Sequence, residues 1–487
     1  MEHVHFIGIG GAGTSGLAEI LLARGVKVSG SDLTLSAKTD ELRALGATIF
    51  EGHRAENIST DVDLVVYTSA VQKANNPEFI AAQDRKICLV RRAEFLGELV
   101  RTLNTIAIAG THGKTTTSSM IAAILIEAKL DPVVIIGGTI KELGNKNARA
   151  GLGKIAVVEA DEYDRSFLAL HPYIAVLTSL EAEHLDIYKD LDDLKDAFVQ
   201  FANQSQPENV KAQEFAVVCI DEPALRDITP RLTKRIVAYG LTSEDAKYRA
   251  TEIEIKGQRT KAKIWRGIEV IGELELGVPG EYNLKNALAA IAVGEVLAIP
   301  FDISKRALKK FVGAERRFQI KGEANGVLVI DDYAHHPTEI RATLETVRKA
   351  YPERRVIACF QPHTYTRTRD FHKAFGEVFA ALADVLLLMN IYPSREEPIK
   401  GVTSDLILTA AREAGSKDAS IVESLDALPL MIVNIAKKGD IVLTIGAGTI
   451  TDACEKIVSA LTAESEPLTL SSGFKTNGIA KSAERAA

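Results

Sequence analysis

Cysteine occurs only four times in 487 residues, and Cys88, Cys219, Cys359 and Cys454 stand far apart with no CxxC pair and no Cys/His cluster. That spacing argues against a disulfide framework and a structural zinc site, and it predicts a cytoplasmic protein. A basic excess is also missing: 58 Lys and Arg against 65 Asp and Glu leave a net charge of −7. Nucleic-acid binders concentrate Lys and Arg on one face, so no nucleic-acid partner is expected. Long apolar runs are lacking too. Val378–Met389 has Asp384 inside it and falls short of the roughly 20 residues a membrane span needs. The first residues, Met1-Glu-His-Val-His5, carry neither a basic nor an apolar leader, which predicts no signal peptide and no membrane partner.

What is present is an ordinary globular composition, 46% hydrophobic and 25% charged, in a chain long enough for about three domains. Apolar β-rich runs alternate with amphipathic helical stretches, the pattern of an α/β fold with parallel sheets. Expected strands include His5–Gly8, Leu64–Tyr67, Thr105–Ala109, Ile155–Glu159, Ile174–Leu177, Val327–Ile330, Arg355–Phe360 and Ile441–Ile445. Boundaries near Asn104 and Glu315 divide the chain into units 1–103, 104–314 and 315–465. The remainder, 466–487, is rich in Ser, Thr, Lys and Glu and reads as a disordered tail. Short alternating runs between Phe215 and Ile271 predict antiparallel hairpins in the middle unit.

In open α/β sheets the chemistry sits in the turns that follow the strands. The first such turn carries Gly8, Gly10, Gly11, Ala12 and Gly13 in a G-x-G-x-x-G pattern, with Asp32 further on. Glycines let the backbone approach a diphosphate at a helix N-terminus, and an acidic residue at that distance suits a ribose hydroxyl; the alternative is a tight packing turn. The second turn is more specific. Gly110-Thr111-His112-Gly113-Lys114-Thr115-Thr116 joins a strand to a helix-like run and is a shortened relative of the phosphate-binding loop. Its amides can cradle phosphate, Lys114 can reach the β and γ oxygens, and the Thr115 hydroxyl can bind Mg²⁺.

Two acidic turns follow, Glu159-Ala-Asp161-Glu162 and Glu181-Ala-Glu183-His184. Beside a phosphate loop such groups suit a divalent ion, with Glu162 and His184 as the best candidates; by themselves they would be a solvated acidic loop. The last unit offers Asp331-Asp332-Tyr333-Ala-His335-His336-Pro337 and Phe360-Gln-Pro-His363-Thr-Tyr-Thr-Arg367 before helices, where Arg and His suit carboxylate or phosphate recognition. Helix capping would explain individual acids there but not the whole set.

Together with Asn283-Leu-Lys-Asn286 and Glu315-Arg-Arg317-Phe, these motifs run in one order through nearly all of the chain. They resemble the Mur ligase family of ATP-dependent amide-bond-forming enzymes. The resemblance implies a three-domain α/β architecture: a Rossmann-like N-terminal domain, a central ATPase domain of phosphate-loop type and a Rossmann-like C-terminal domain. It further implies that ATP and Mg²⁺ serve as cosubstrate and cofactor, and that UDP-N-acetylmuramate and L-alanine are joined by a monomer or homodimer. Gly8, Gly10, Gly11, Ala12, Gly13, Asp32, Ser69 and Ala70 would then hold UDP. Gly110 to Thr116, Asn286, Arg317 and Asp332 would hold ATP, and Thr115, Glu162 and His184 the metal. Tyr333, His363 and Arg367 would face the muramyl carboxyl and the amino acid. Lys114, Glu162, His184, His363 and Arg367 would form the catalytic set, with either histidine assisting the amine. Thr364 departs from members that carry Arg there. A family member adding a recycled tripeptide, a nicotinamide-dependent oxidoreductase and a nucleotide-dependent binding module are the competing readings.

Overall fold

The strands His3–Ile7 (β1), Lys27–Asp32 (β2), Thr48–Glu51 (β3), Leu64–Tyr67 (β4) and Cys88–Arg91 (β5) form a parallel sheet in the order β3-β2-β1-β4-β5. This computed structural model describes residues 1–183, 187–206 and 213–463, except for the side chain of Ala12. His184 and the segment 466–487 lie outside the described residues.

The middle sheet is built on Asn104–Ala109 (β6), Val133–Ile140 (β7), Lys146–Arg149 (β8), Ile155–Glu159 (β9), Ile174–Leu177 (β10), Phe215–Cys219 (β11) and Arg235–Tyr239 (β12). Three longer strands extend it: Tyr248–Lys256 (β13), Arg259–Arg266 (β14) and Glu269–Leu276 (β15). The order is β15-β14-β13-β12-β11-β10-β6-β9-β7-β8. The antiparallel hairpins expected after Phe215 start only at β13; β11 and β12 pair in parallel. β11 is an apolar run buried on the sheet, and β12, though it begins at the exposed Arg235 and is only partly buried, still pairs in parallel with it; the longer alternating strands start at β13.

The last sheet takes Gln319–Ala324 (β16), Val327–Asp332 (β17), Val356–Phe360 (β18), Val385–Leu388 (β19), Ala419–Ile421 (β20) and Ile441–Ile445 (β21) in the order β16-β17-β21-β18-β19-β20. The apolar run Val378–Met389 is divided between the helix Tyr365–Leu382 and β19, with Asp384 at the break. Asp384 Oδ2 there accepts a hydrogen bond from Val356 N at 2.7 Å. No helix among the described residues is long and apolar enough to cross a membrane.

Each sheet brings particular turns together. β1 lies between β2 and β4, so the turns after Ile7, Asp32 and Tyr67 share one edge. β6 lies between β10 and β9, which gathers the turns after Ala109, Glu159 and Leu177. β21 separates β17 from β18, so the turns after Asp332 and Phe360 flank Gly446–Gly448.

Candidate active site

The turn after β6 leads into the helix Lys114–Glu127, whose N-cap Gly113 is left-handed at φ 81° and offers no capping side chain. The first amides of that helix are therefore left for a ligand, the arrangement that favours phosphate. Glycine is required here: a Cβ on Gly113 would stand 2.7 Å from Asn286 Oδ1, and one on Gly110 would strike the Thr178 hydroxyl. Neighbouring strands brace the loop. His112 N donates to Ser179 Oγ at 2.7 Å, Thr178 Oγ1 to His112 O at 2.5 Å and Glu181 N to Thr111 Oγ1 at 2.9 Å.

Lys114 Nζ donates to both carboxylate oxygens of Glu162, at 2.9 and 2.8 Å, and to Gly110 O at 2.6 Å. Burial opposes the charge on Lys114, but Glu162 and Asp161 outweigh it and lift its pKa above the usual value. Thr115 Oγ1 donates to Glu159 Oε1 at 3.0 Å, and Gly137 N donates to the other Glu159 oxygen at 2.7 Å. Burial raises the Glu159 pKa against the pull of Lys114. Thr115, Glu159 and Glu162 thus line one recess with Asp161 and Lys114. An all-oxygen donor set beside a phosphate loop fits a hard divalent cation such as Mg²⁺. Glu159, the first residue of the acidic motif but not among its preferred candidates, is the last residue of β9 and turns its carboxylate into this recess.

The segment beyond Glu162 is pinned in place. Tyr188 donates to Glu162 O at 2.6 Å, and Asp164 and Arg165 are both left-handed, at φ 53° and 52°. Asp164 receives Arg91 from the first unit, and Arg165 pairs with Asp193 at 2.6 Å.

Across the recess stand Tyr333, His335, Arg317 and Glu339. Asp332 is buried and accepts from Phe318 N at 2.7 Å and Ala334 N at 2.8 Å; burial lifts its pKa to about 6. The adjacent Asp331 is structural, taking the hydroxyls of Thr444 and Thr451, each at 2.7 Å. His336 caps the helix Pro337–Ala350, and Glu339 at the third helical position closes the capping box. Glu339 also reaches across to His112 Nδ1 at 3.1 Å.

Arg367 is carried by the helix Tyr365–Leu382. It donates to His363 Nδ1 at 3.2 Å and pairs with Glu183 Oε1 of the middle unit at 3.2 Å. Burial, together with His335 and Arg367, lowers the His363 pKa to about 4. The ring is therefore neutral at pH 7 and accepts the arginine proton at Nδ1. Thr364 holds a left-handed φ of 70° while donating its N–H to Tyr392 O at 2.9 Å.

Beside the phosphate loop a deeper cleft is lined by His112, Gly113, Thr116, Asn286, Arg317 and Asp332, and also by Glu222, Tyr239, Tyr282 and Lys285. Of these, Lys285 lies within the Asn283-Leu-Lys-Asn286 motif, while Glu222, Tyr239 and Tyr282 belong to none and reach the cleft through the packing of the helix Glu281–Val296 and the ends of β11 and β12. A third cleft is lined by Gly8, Gly10, Gly11, Gly13, Asp32, Ser69 and Ala70, with Arg92, Asp161, Tyr163 and Arg395 contributed from elsewhere in the chain. Asp32 accepts from Gly10 N and Leu33 N, each at 2.9 Å, so its carboxylate shapes the glycine turn as well as facing the cleft. Gly13 leaves room for Arg92, whose guanidinium a Cβ there would strike.

Family comparisons agree with this layout. Three family models match in succession: "Mur ligase family, catalytic domain" over residues 3–103, "Mur ligase middle domain" over 108–294 and "Mur ligase, glutamate ligase domain" over 316–448. The chain is 46% identical over 463 residues to the UDP-N-acetylmuramate--L-alanine ligase of Trichlorobacter lovleyi, covering 95% of this chain and 99% of that one. The enzyme of the same name from Geobacter sulfurreducens is also 46% identical, with 95% and 98% covered. Among solved structures, the UDP-N-acetylmuramate-alanine ligase of Thermotoga maritima superposes with a TM-score of 0.80 at 28% identity, covering 95% of this chain and 99% of that one. A murein peptide ligase from Psychrobacter arcticus gives 0.68 at 25% identity, with the same coverage. With relatives this similar along nearly its whole length, and a phosphate loop facing a C-terminal Arg/His surface, the chain belongs to the Mur ligase family.

Proposed function

We propose that this protein is an ATP-dependent ligase that joins L-alanine to the carboxyl group of UDP-N-acetylmuramate, forming ADP and phosphate, in cytoplasmic peptidoglycan synthesis. The observation that carries the reading is the meeting of two faces: Lys114, Thr115 and Glu162 on the middle unit confront Tyr333, His335 and the Arg367–Glu183 pair from the C-terminal one. The identity of the substrates rests on the relatives at 46% identity.

The working units are 1–103 for the UDP-sugar, 104–314 for ATP and 315–465 for completing the site. Gly8, Gly10, Gly11, Ala12, Gly13, Asp32, Ser69 and Ala70 receive the uridine diphosphate. Gly110 to Thr116, Asn286, Arg317 and Asp332 receive ATP. Thr115 and Glu162 hold Mg²⁺, together with His184, and Glu159 supplies a further oxygen. Bound by these residues, Mg²⁺ would supply positive charge to offset that of the phosphate.

Chemically, the muramyl carboxylate attacks the γ-phosphorus in line and ADP leaves, giving an acyl phosphate. Lys114 offsets the charge on the phosphoryl oxygens. The amine of L-alanine then adds to the acyl carbonyl, and phosphate departs from the tetrahedral adduct. Tyr333, His363 and Arg367 position the reacting carboxyl and the amine. With its low pKa and Nδ1 committed to Arg367, His363 is a weak base, and we assign it orientation of that arginine. Closure of the Arg/His face over the phosphate loop keeps water from the acyl phosphate.

A tripeptide-adding ligase is the second reading, favoured by the similarity to the murein peptide ligase but with the lower TM-score. Phosphate release from ATP and Mg²⁺ is measured with UDP-N-acetylmuramate, with and without L-alanine, and the product is weighed. Release needing both substrates, with a product heavier by one alanyl residue, is expected. An adduct formed only with a tripeptide would transfer the protein to the second reading, and no adduct with either would reject both.

A further inference from the structure

The geometry points to a second cation site on this chain: a borderline divalent ion such as Zn²⁺, held by His112, Glu181 and His336 across the junction of the middle and C-terminal units. One ligand atom from each of the three lies within 4.8 Å of the other two, and this is the one such cluster among the described residues. His112 Nε2 is 3.5 Å from Glu181 Oε2, and His336 Nδ1 is 3.9 Å from that same oxygen. Tetrahedral zinc bonds of about 2.1 Å place neighbouring ligand atoms roughly 3.4 Å apart, so these two edges need only small side-chain shifts.

Two further features single the cluster out. His112 Nε2 is buried with no close hydrogen bond, Glu181 Oε2 standing 3.5 Å away, while on the far side of the ring Nδ1 meets Glu339 Oε1 at 3.1 Å; these carboxylates raise the pKa of the ring against its burial, so a bound ion would take the place of its proton. A carboxylate behind an imidazole is the arrangement that fixes the tautomer and strengthens a metal-binding histidine. His336 Nδ1 accepts only a long 3.4 Å hydrogen bond from Thr338 N, which a metal ligand bond can replace.

Donor chemistry distinguishes this cluster from the oxygen-rich recess around Thr115, Glu159 and Glu162, where His184 is the one nitrogen donor proposed. Two imidazole nitrogens with one carboxylate favour Zn²⁺, Ni²⁺ or Co²⁺ over Mg²⁺. The position is equally telling, since His112 and Glu181 come from the middle unit and His336 from the C-terminal one. All but His336 also line the cleft beside the phosphate loop. An ion here would staple the two units together at the mouth of that cleft, so metal and nucleotide would compete for it.

The test uses the metal-free full chain titrated calorimetrically with ZnCl₂ alone, with Co²⁺ as a spectroscopic substitute. A saturable Zn²⁺ site that is lost in the variants of its own ligands is expected, distinct from any binding at the Thr115/Glu162 recess, with visible Co²⁺ absorption of a low-coordinate nitrogen–oxygen site. His336→Asn keeps a side-chain cap for its helix but removes the imidazole, and Glu181→Gln removes the carboxylate. Each is expected to weaken Zn²⁺ binding by about tenfold or more, and Glu339→Gln by about 10–100-fold. His372→Asn, an exposed histidine outside the cluster, should leave binding unchanged. If His336→Asn does not fold, Glu181→Gln alone decides. No Zn²⁺ site in the parent chain, or equal stoichiometry and affinity in the folded variants, overturns the proposal.

Discussion

Lys114 Nζ lies between both carboxylate oxygens of Glu162, at 2.9 and 2.8 Å, with Glu162 only 2% exposed. The cation of the phosphate loop and a carboxylate assigned to the metal are thus held on one another, and a phosphate with its metal must part them. Removing one member of a buried pair leaves charge without its compensation, which typically destabilises by about 3–5 kcal/mol.

Lys114→Ala is therefore expected to lower the melting temperature and to cut phosphate release by about 10²–10³-fold. Lys114→Met combined with Glu162→Gln should recover most of the lost stability and none of the turnover. Normal turnover by Lys114→Ala would refute the assigned chemistry.

Gly113→Ala should fail through two effects. Its left-handed φ strains an alanine by about 1–3 kcal/mol, and the new methyl meets Asn286 Oδ1. Gly144, at φ 73° with nothing near a Cβ, isolates the first effect. Both variants are expected to lose stability, but only Gly113→Ala should lose ATP affinity, as read by calorimetry.

His363 makes a prediction with a definite sign. Its pKa falls from an ordinary 6.5 to about 4 on folding. Between those values the unfolded chain binds a proton that the folded chain refuses, so stability decreases as the pH drops from 6.5 to 4 and is unaffected by this group above 6.5. Denaturant titrations of His363→Asn should show a shallower acid limb across that window. An unchanged limb would mean that the ring is not held neutral.

The Arg367–Glu183 pair joins units that are otherwise separate in sequence. A double-mutant cycle with Arg367→Ala and Glu183→Ala is expected to give a coupling of about 0.5–3 kcal/mol in the free energy of turnover. Small-angle scattering with an ATP analogue and UDP-N-acetylmuramate together should show contraction in the parent and less in the double variant.

Strand positions were legible because buried parallel strands are continuous apolar runs: Leu64–Tyr67, Ile155–Glu159, Ile174–Leu177 and Ile441–Ile445 match the expected strands residue for residue. The phosphate loop was equally legible, since its glycines and lysine are adjacent in the chain. Three-dimensional partners were not. Glu339 reads as an ordinary capping-box acid, and nothing in its neighbours announces His112, which lies 227 residues away. Arg92, Arg395, Tyr239 and Glu222 enter their clefts only because separate elements pack side by side, and no local pattern encodes that. Asp331 and Asp332 are a further case: adjacent acids on one strand point to opposite faces, so one braces the sheet and the other faces the cleft.

The junction between the last two units has a mechanical consequence. Glu315 N is fastened to Thr139 O, and Ala314 bridges Ile140, so the chain up to Glu315 moves with the middle sheet. Arg316 is fastened to the other side, its carbonyl accepting Tyr333 N and its guanidinium reaching Gly446 O. The fulcrum for any swing of the C-terminal unit is therefore one peptide link wide. In such a swing Arg317, next to the link, would travel little, whereas Arg367, carried by the helix Tyr365–Leu382, would travel further. On the proposed function, one arginine would be a fixed post for ATP and the other the moving jaw.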